Sequence, residues 1–219
     1  MILSNEKLTV GLVFVILLLT SCDYGNGYRV EGNKVVYERP WNTGFGTQVI
    51  NVEADSKSFE ELGGNNMKWA RDKNHVFNEH HILDFLNPDS FVLLSQDFGK
   101  DSSSVVCETT LIPEADVATF KVKTFKDREG NKEELGVDNH AAYDCYDGGY
   151  SYMPVKSIDT FEQLYRQFYR DEFDVYWWGN RLPLNINNLK LLKGSYIPVD
   201  EHVFYVLLGI DKRRTAHLF

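Results

Sequence analysis

The side chains in this chain that are equipped for chemistry fall into a few clusters. Tyr143, Tyr146, Tyr150 and Tyr152 surround Asp144, Asp147 and the Gly148-Gly149 pair. Aromatic rings beside carboxylates and glycine are suited to gripping a glycan or a peptide, and loops on a rigid scaffold often carry function. The plainer alternative is a loop that packs its tyrosines over a sheet, pinned by Cys145. Trp177-Trp178-Gly179-Asn180 reads as a hairpin turn. Strand alternation sends one indole inward and the other outward, where an exposed ring can anchor a partner. His75, His80 and His81 with Asp84 are the only group that suggests a metal. Neighbours on a strand point to opposite faces, so His80 and His81 are not expected to share one ion, and no second His or Cys group stands at ligand spacing. Glu60-Glu61 and Glu133-Glu134 read as solvated faces. No Ser–His–Asp order and no phosphate-cradling glycine loop occurs. The expectation is therefore no catalytic residue, no cofactor and no metal.

The amino terminus carries a different chemistry. Leu8 to Leu19 is an uninterrupted run of apolar or small residues, shorter than the ~20 residues of a membrane span and within the range of a signal-peptide core. It ends in Leu19-Thr20-Ser21-Cys22, which resembles the lipobox of bacterial lipoproteins at all four positions. That resemblance implies a thioether-linked diacylglycerol on Cys22, cleavage before it and acylation of the new amino terminus. Several acyl chains give stable attachment, since each buried methylene contributes only about 0.8 kcal/mol. Residues 1–22 are then a lipoprotein signal peptide, 23–27 a glycine-rich flexible tether, and 28–219 one repeat-containing domain. The expected location is the bacterial cell envelope, with the membrane reached through lipidated Cys22.

The formal charge of −9 argues against nucleic acid as a partner, because an acidic chain has little with which to neutralise phosphates. Once Cys22 is committed to lipid, Cys107 and Cys145 remain, an even pair for which an oxidising compartment permits a disulfide.

The elements that hold these residues come in repeats. A small polar residue, two variable positions, Ser or Thr, then Phe recurs at Asp55-Ser56-Lys57-Ser58-Phe59, Asn87-Pro88-Asp89-Ser90-Phe91, Asp116-Val117-Ala118-Thr119-Phe120 and Ser157-Ile158-Asp159-Thr160-Phe161, with a worn copy at Asn185-Ile186-Asn187-Asn188-Leu189. The lead residue suits the cap of a helical turn. Leu62, Leu94, Leu164 and Leu192 follow at the i, i+3 spacing of one helical face. A second phrase follows each copy, an apolar residue three places before an aspartate: Trp69…Asp72, Phe98…Asp101, Leu135…Asp138, Phe168…Asp171 and Ile197…Asp200. A strand, a turn at the aspartate and a returning strand is the natural reading. Each unit would be a hairpin plus a short helical turn, unable to bury its apolar face alone. The charged stretch Lys126 to Glu134 reads as a solvated loop inside an insertion over 126–152. Val203 to Leu208 reads as a terminal strand closing the sheet.

Arg71-Asp72-Lys73-Asn74-His75-Val76-Phe77, followed by Ile82 and by Asn87-Pro88-Asp89-Ser90-Phe91, resembles the DKNYY repeat family of bacterial proteins. Ile112 to Phe120 matches the second half of that pattern. The family usually has Asn-Gly at the second turn, where this chain has Asn78-Glu79 and, in reverse order, Gly179-Asn180. The resemblance implies an envelope protein and brings no catalytic residue. The expected fold is mainly β, of the β-rich α+β class, with hairpins bordered by short helical turns forming an extended or curved sheet. The expected role is a non-catalytic binding or scaffold module facing an envelope protein or glycan. The alternatives are a glycan-processing hydrolase using Asp144 and Asp147, or an immunity-type inhibitor that masks a basic partner.

Overall fold

The computed structural model describes residues 27–41, 46–64, 68–127, 129–182, 196–199 and 202–205. Cys22 and the worn Asn185–Leu189 phrase lie outside them, as do Leu192, Asp200 and Val206 to Leu208. The chain forms a series of small antiparallel sheets, each made from consecutive strands. The first has three: β1 (Gly27–Glu31), β2 (Lys34–Pro40) and β3 (Thr47–Val52). Four-stranded meanders follow. The second sheet is β4 (Glu60–Leu62), β5 (Trp69–Arg71), β6 (Val76–Asn78) and β7 (His81–Leu83). The third is β8 (Val92–Leu93), β9 (Phe98–Lys100), β10 (Val105–Cys107) and β11 (Thr110–Leu111). The fourth is β12 (Lys121–Lys126), β13 (Lys132–Val137), β14 (Ala141–Tyr146) and β15 (Gly149–Pro154). The fifth is β16 (Glu162–Tyr165), β17 (Phe168–Arg170), β18 (Val175–Trp177) and β19 (Asn180–Leu182). β20 (Tyr196–Val199) and β21 (His202–Tyr205) pair with each other alone.

Successive sheets pack face to face, and the apolar clusters lie between them. Tyr28, Val35, Tyr37 and Val52 of the first sheet meet Ala70 and Phe77 of the second. Trp69, Val76 and Leu83, on the other face of the second sheet, meet Val106 of the third. Phe98, Val105 and Cys107 meet Ala141 and Tyr143 of the fourth. Leu135, Val137, Ala142 and Met153 meet Tyr169 and Tyr176 of the fifth. Both faces of each inner sheet are therefore buried, so alternate residues of one strand serve different cores. This explains why the inner strands read as continuous apolar runs such as Val105-Val106-Cys107.

The phrase that leads each four-stranded unit is a single hydrogen-bonded turn, and no helix occurs among the described residues. Ser58, Ser90, Thr119 and Thr160 each donate an N–H to the carbonyl three residues back, at 3.1–3.3 Å, and the chain then straightens. The expected helical turns are replaced because the next strand captures the backbone one or two residues later: Leu62 lies on β4 and Leu164 on β16. The single extended or curved sheet is likewise replaced by separate stacked sheets. The stretch expected as a solvated loop is mostly hairpin, with β12 and β13 paired from Lys121↔Val137 to Lys126↔Lys132.

The aspartate of the second phrase holds each four-stranded unit together. Asp101 Oδ1 accepts from the backbone N–H groups of Ser103 (2.7 Å) and Ser104 (2.6 Å), closing the β9–β10 turn. Its Oδ2 reaches back to the N–H of Asn87, the lead residue of its own phrase, at 2.7 Å. The Ser90 hydroxyl of that phrase completes the clamp by accepting the Ser102 N–H at 3.3 Å. The same set recurs in the other units. Asp72 takes Asn74, His75 and Asp55, with Ser58 on Lys73. Asp138 takes His140, Ala141 and Asp116, with Thr119 on Asn139. Asp171 takes Phe173, Asp174, Lys156 and Ser157, with Thr160 on Glu172. All four carboxylates are buried. Burial alone would push the Asp101 carboxyl up, but its three backbone donors outweigh that and hold it below the usual range.

Because the folded carboxyl is held below its unfolded value, the clamp contributes fully above the unfolded carboxylate range and is lost as pH falls through the folded one. Asp101→Ala is expected to lower unfolding free energy by about 2–4 kcal/mol in urea titration, since it strands three inward N–H groups. Asp101→Asn keeps an acceptor and should cost less. Its deficit relative to the wild type should shrink below about pH 4.

Candidate functional site

The tyrosine cluster lies on a hairpin rather than a loop. β14 and β15 pair from Ala141↔Pro154 to Tyr146↔Gly149, closing on Asp147-Gly148, where Gly148 takes a φ of 84°. Tyr143 points into the core between the third and fourth sheets, and its hydroxyl donates to Asp138 Oδ2 at 2.8 Å. Burial, then the Asp138 carboxylate, raises the Tyr143 phenol well above its ordinary value. Tyr143 is thus a clamp and core residue and takes no part in an exposed surface. Tyr150 donates to Glu114 Oε2 at 2.6 Å, and burial followed by that carboxylate pushes its phenol up to about 12. Tyr146 and Tyr152 remain 49% and 40% exposed, and Asp147 stands in the exposed turn between the strands.

Asp144 faces the fifth sheet. Its neighbour Glu133, on β13, accepts a hydrogen bond from the Tyr169 hydroxyl of β17. Burial, helped by the Glu133 charge, pushes the Asp144 carboxyl up to about 6. A half-buried acid beside a second carboxylate is what proton transfer uses. The shallow hollow of about 300 Å³ lined by Gly63, Trp69, Leu93, Leu94, Ser95 and Gln96 lies elsewhere and contains no acid or base.

Trp177 and Trp178 are 44% and 52% exposed, so neither is sent fully inward. The Trp177 ring stacks on Phe168, with centroids 5.7 Å apart and planes at 12°. Trp178 and Gly179 form the two-residue turn, with φ of 48° and 76°. A Cβ on Gly179 would sit 3.0 Å from Ser151 Cβ and 3.4 Å from the Tyr152 carbonyl oxygen. Glycine is needed there for its φ and for that close approach. The turn therefore lies against the β15 backbone at Ser151-Tyr152, on the face of the fourth sheet opposite the paired Tyr143 and Tyr152 side chains. The glycine after the tryptophans was the sole sequence signal for this contact.

Cys107 of β10 and Cys145 of β14 are joined in a disulfide, with Cα atoms 5.7 Å apart. The bond links the third and fourth sheets across their shared core. His80 and His81 do approach each other, with ring centroids 4.0 Å apart. The alternation expected for them fails because His80 lies in the Glu79-His80 turn, where Glu79 has a φ of 53°. Burial, then the charges of His81 and Arg39, lowers the His80 pKa. Asp84 follows β7, and no group of three or more His, Cys, Asp or Glu side chains is arranged to hold a metal among the described residues.

The DKNYY family model matches residues 28–207, which takes in all five stacked sheets from Tyr28 onward. The chain belongs to the DKNYY family. The aspartate clamp accounts for the aspartate of the family's pattern, since Asp72 accepts the backbone N–H groups of Asn74 and His75. No curated protein and no solved structure is significantly similar to this DKNYY chain.

The disulfide closes a sequence separation of 38 residues, for which the chain-entropy model gives about 4 kcal/mol. A Cys107→Ser/Cys145→Ser variant is expected to lose about 2–4 kcal/mol in urea titration, and dithiothreitol should reproduce the loss in the wild type. Asp144 has the opposite sign to the clamp aspartates. Its raised folded value favours the folded state at low pH, and that contribution fades as pH rises through about 6. Asp144→Asn should therefore melt higher than the wild type at pH 8, with the gap closing at pH 4.

Proposed function

We propose that this DKNYY chain is a lipid-anchored, non-catalytic binding module of the bacterial envelope, held through Cys22 and offering its exposed aromatic side chains to an envelope protein or glycan. One observation carries the reading: Tyr146, Tyr152, Trp177 and Trp178 stay about half exposed while their backbones are fixed in hairpins of the fourth and fifth sheets. Rigid aromatic rings bind at low entropic cost and are frequent interface anchors. The extended surface of a stacked repeat suits such a role. The Leu19-Thr20-Ser21-Cys22 sequence supports the anchor. No helix of the described residues is long and apolar enough to cross a membrane.

The raised Asp144 carboxyl favours a second reading, a glycan-processing hydrolase with Asp144 and Asp147 as its acid pair. An Asp144→Asn/Asp147→Asn double variant with an unaltered phenotype would rule it out. Crosslinked affinity purification from intact cells tests the leading reading. The wild type should sediment with membranes and enrich a reproducible partner, and Cys22→Ser should lose both. A membrane-bound wild type that enriches nothing above background would overturn the binding role.

A further inference from the structure

We propose that the Trp177-Trp178-Gly179 turn takes a lysine or arginine side chain from a partner protein; this rests on the binding role above and names the chemistry of that partner. The argument comes from the internal repetition. The position seven residues after the clamp aspartate is left-handed in three units: Glu79 at φ 53°, Glu108 at 47° and Trp178 at 48°. Residues other than glycine adopt that conformation only rarely. In two of the units the side chain placed there meets a cation of the preceding unit. Glu108 pairs with Lys68 at 3.0 Å, and Glu79 lies 3.9 Å from Arg39. In the fifth sheet the same turn carries Trp178, 52% exposed, whose indole takes no cation, hydrogen bond or ring contact among the described residues.

An indole face is the best of the natural rings for binding a cation. The chain already uses rings this way: Lys123 lies 4.9 Å over Phe125, Lys156 5.7 Å over Phe173 and Arg166 5.5 Å over Tyr165. The cations of this part of the chain are already committed. Residues 138–182 hold eight acids, from Asp138 to Asp174, against Lys156, Arg166, Arg170 and Arg181. Those four are engaged: Lys156 and Arg181 with Asp174, Arg170 with Glu162, and Arg166 over Tyr165. The position that closes on an internal cation in two repeats is thus open and aromatic in this one, in a segment of the chain where acids outnumber cations eight to four. A basic peptide segment fits it, and a polyanionic polymer does not.

Tryptophan fluorescence of the full-length protein in mild detergent, titrated with an octa-arginine peptide and separately with a neutral N-acetylglucosamine oligomer, tests this. Octa-arginine should bind and the sugar should not. Trp178→Ala should weaken octa-arginine about five- to tenfold with an unchanged melting temperature, since the ring is exposed. Trp178→Glu, which restores the residue type of the equivalent turns, should keep binding with a steeper salt dependence. A purely structural role for Trp178 would make these two variants behave alike, and that result would overturn the proposal. Sugar binding without octa-arginine binding would overturn the cation while leaving the binding role intact. If neither probe binds and the crosslinked partner is recovered equally by Trp178→Ala, the proposed site is wrong, though the binding role stands. If the wild type crosslinks to nothing, both fail.

Discussion

A buried aspartate that accepts hydrogen bonds on both carboxylate oxygens is the interaction on which this fold depends. One oxygen closes the tight turn between the two central strands of a sheet, and the other fastens the phrase that begins the same unit. Charged acceptors make strong hydrogen bonds in a sheltered setting, and an unmade one leaves backbone N–H groups with no water to replace it. Strands of two to six residues have little pairing energy of their own. The clamp supplies a fixed point from which such short strands can pair in one register.

That fixed point also sets the packing. The phenylalanine ending each phrase is placed over the strand residue two positions before the aspartate. In the third and fourth sheets that residue is glycine: a Cβ on Gly99 would fall 2.6 Å from Phe91 Cε2, and one on Gly136 would fall 2.9 Å from Phe120 Cε2. In the second sheet it is Ala70, in the same cluster as Phe59. In the fifth it is Tyr169, and Phe161 accommodates it by stacking, with centroids 5.4 Å apart and planes at 11°. The phenylalanine is the same in all four units, and where its partner is not glycine or alanine the ring stacks on it, since close-packed sheets leave no spare volume. Cations tie neighbouring units in matching register: Arg71 donates to the Pro88 carbonyl and Lys100 to the Val117 carbonyl, each the second residue of the following phrase.

The candidate surface arises where the pattern is loosened. The lengthened β14–β15 hairpin leaves Tyr146 and Tyr152 about half exposed while Tyr143 stays in the core. At the left-handed turn, replacement of a glutamate by Trp178 exchanges an internal ion pair for an open ring. Departures from a repeat's local rules are where function is most economically added, since the rest of each unit remains committed to stability.

Much was determined by sequence alone: the repeat, the aspartate turns, the inward phenylalanines, the family and the β-rich class. These depend on local chemistry, in which an aspartate and its next few N–H groups, or alternating apolar residues, need only their near neighbours. Tertiary structure decided the rest. It turned the expected helical turns into single turns, because pairing with the next strand captured the backbone at Glu60 and Glu162. It divided the expected continuous sheet into stacked ones, burying both faces of the inner sheets, a choice set by contacts between units that are distant in sequence. It put His80 beside His81 through a turn, sent Tyr143 inward, joined Cys107 to Cys145, and set the Trp178-Gly179 turn against Tyr152. Each of those contacts joins different units or hinges on a backbone turn angle. Spacing along the chain does not encode the distance between faces that meet only after the sheets have stacked.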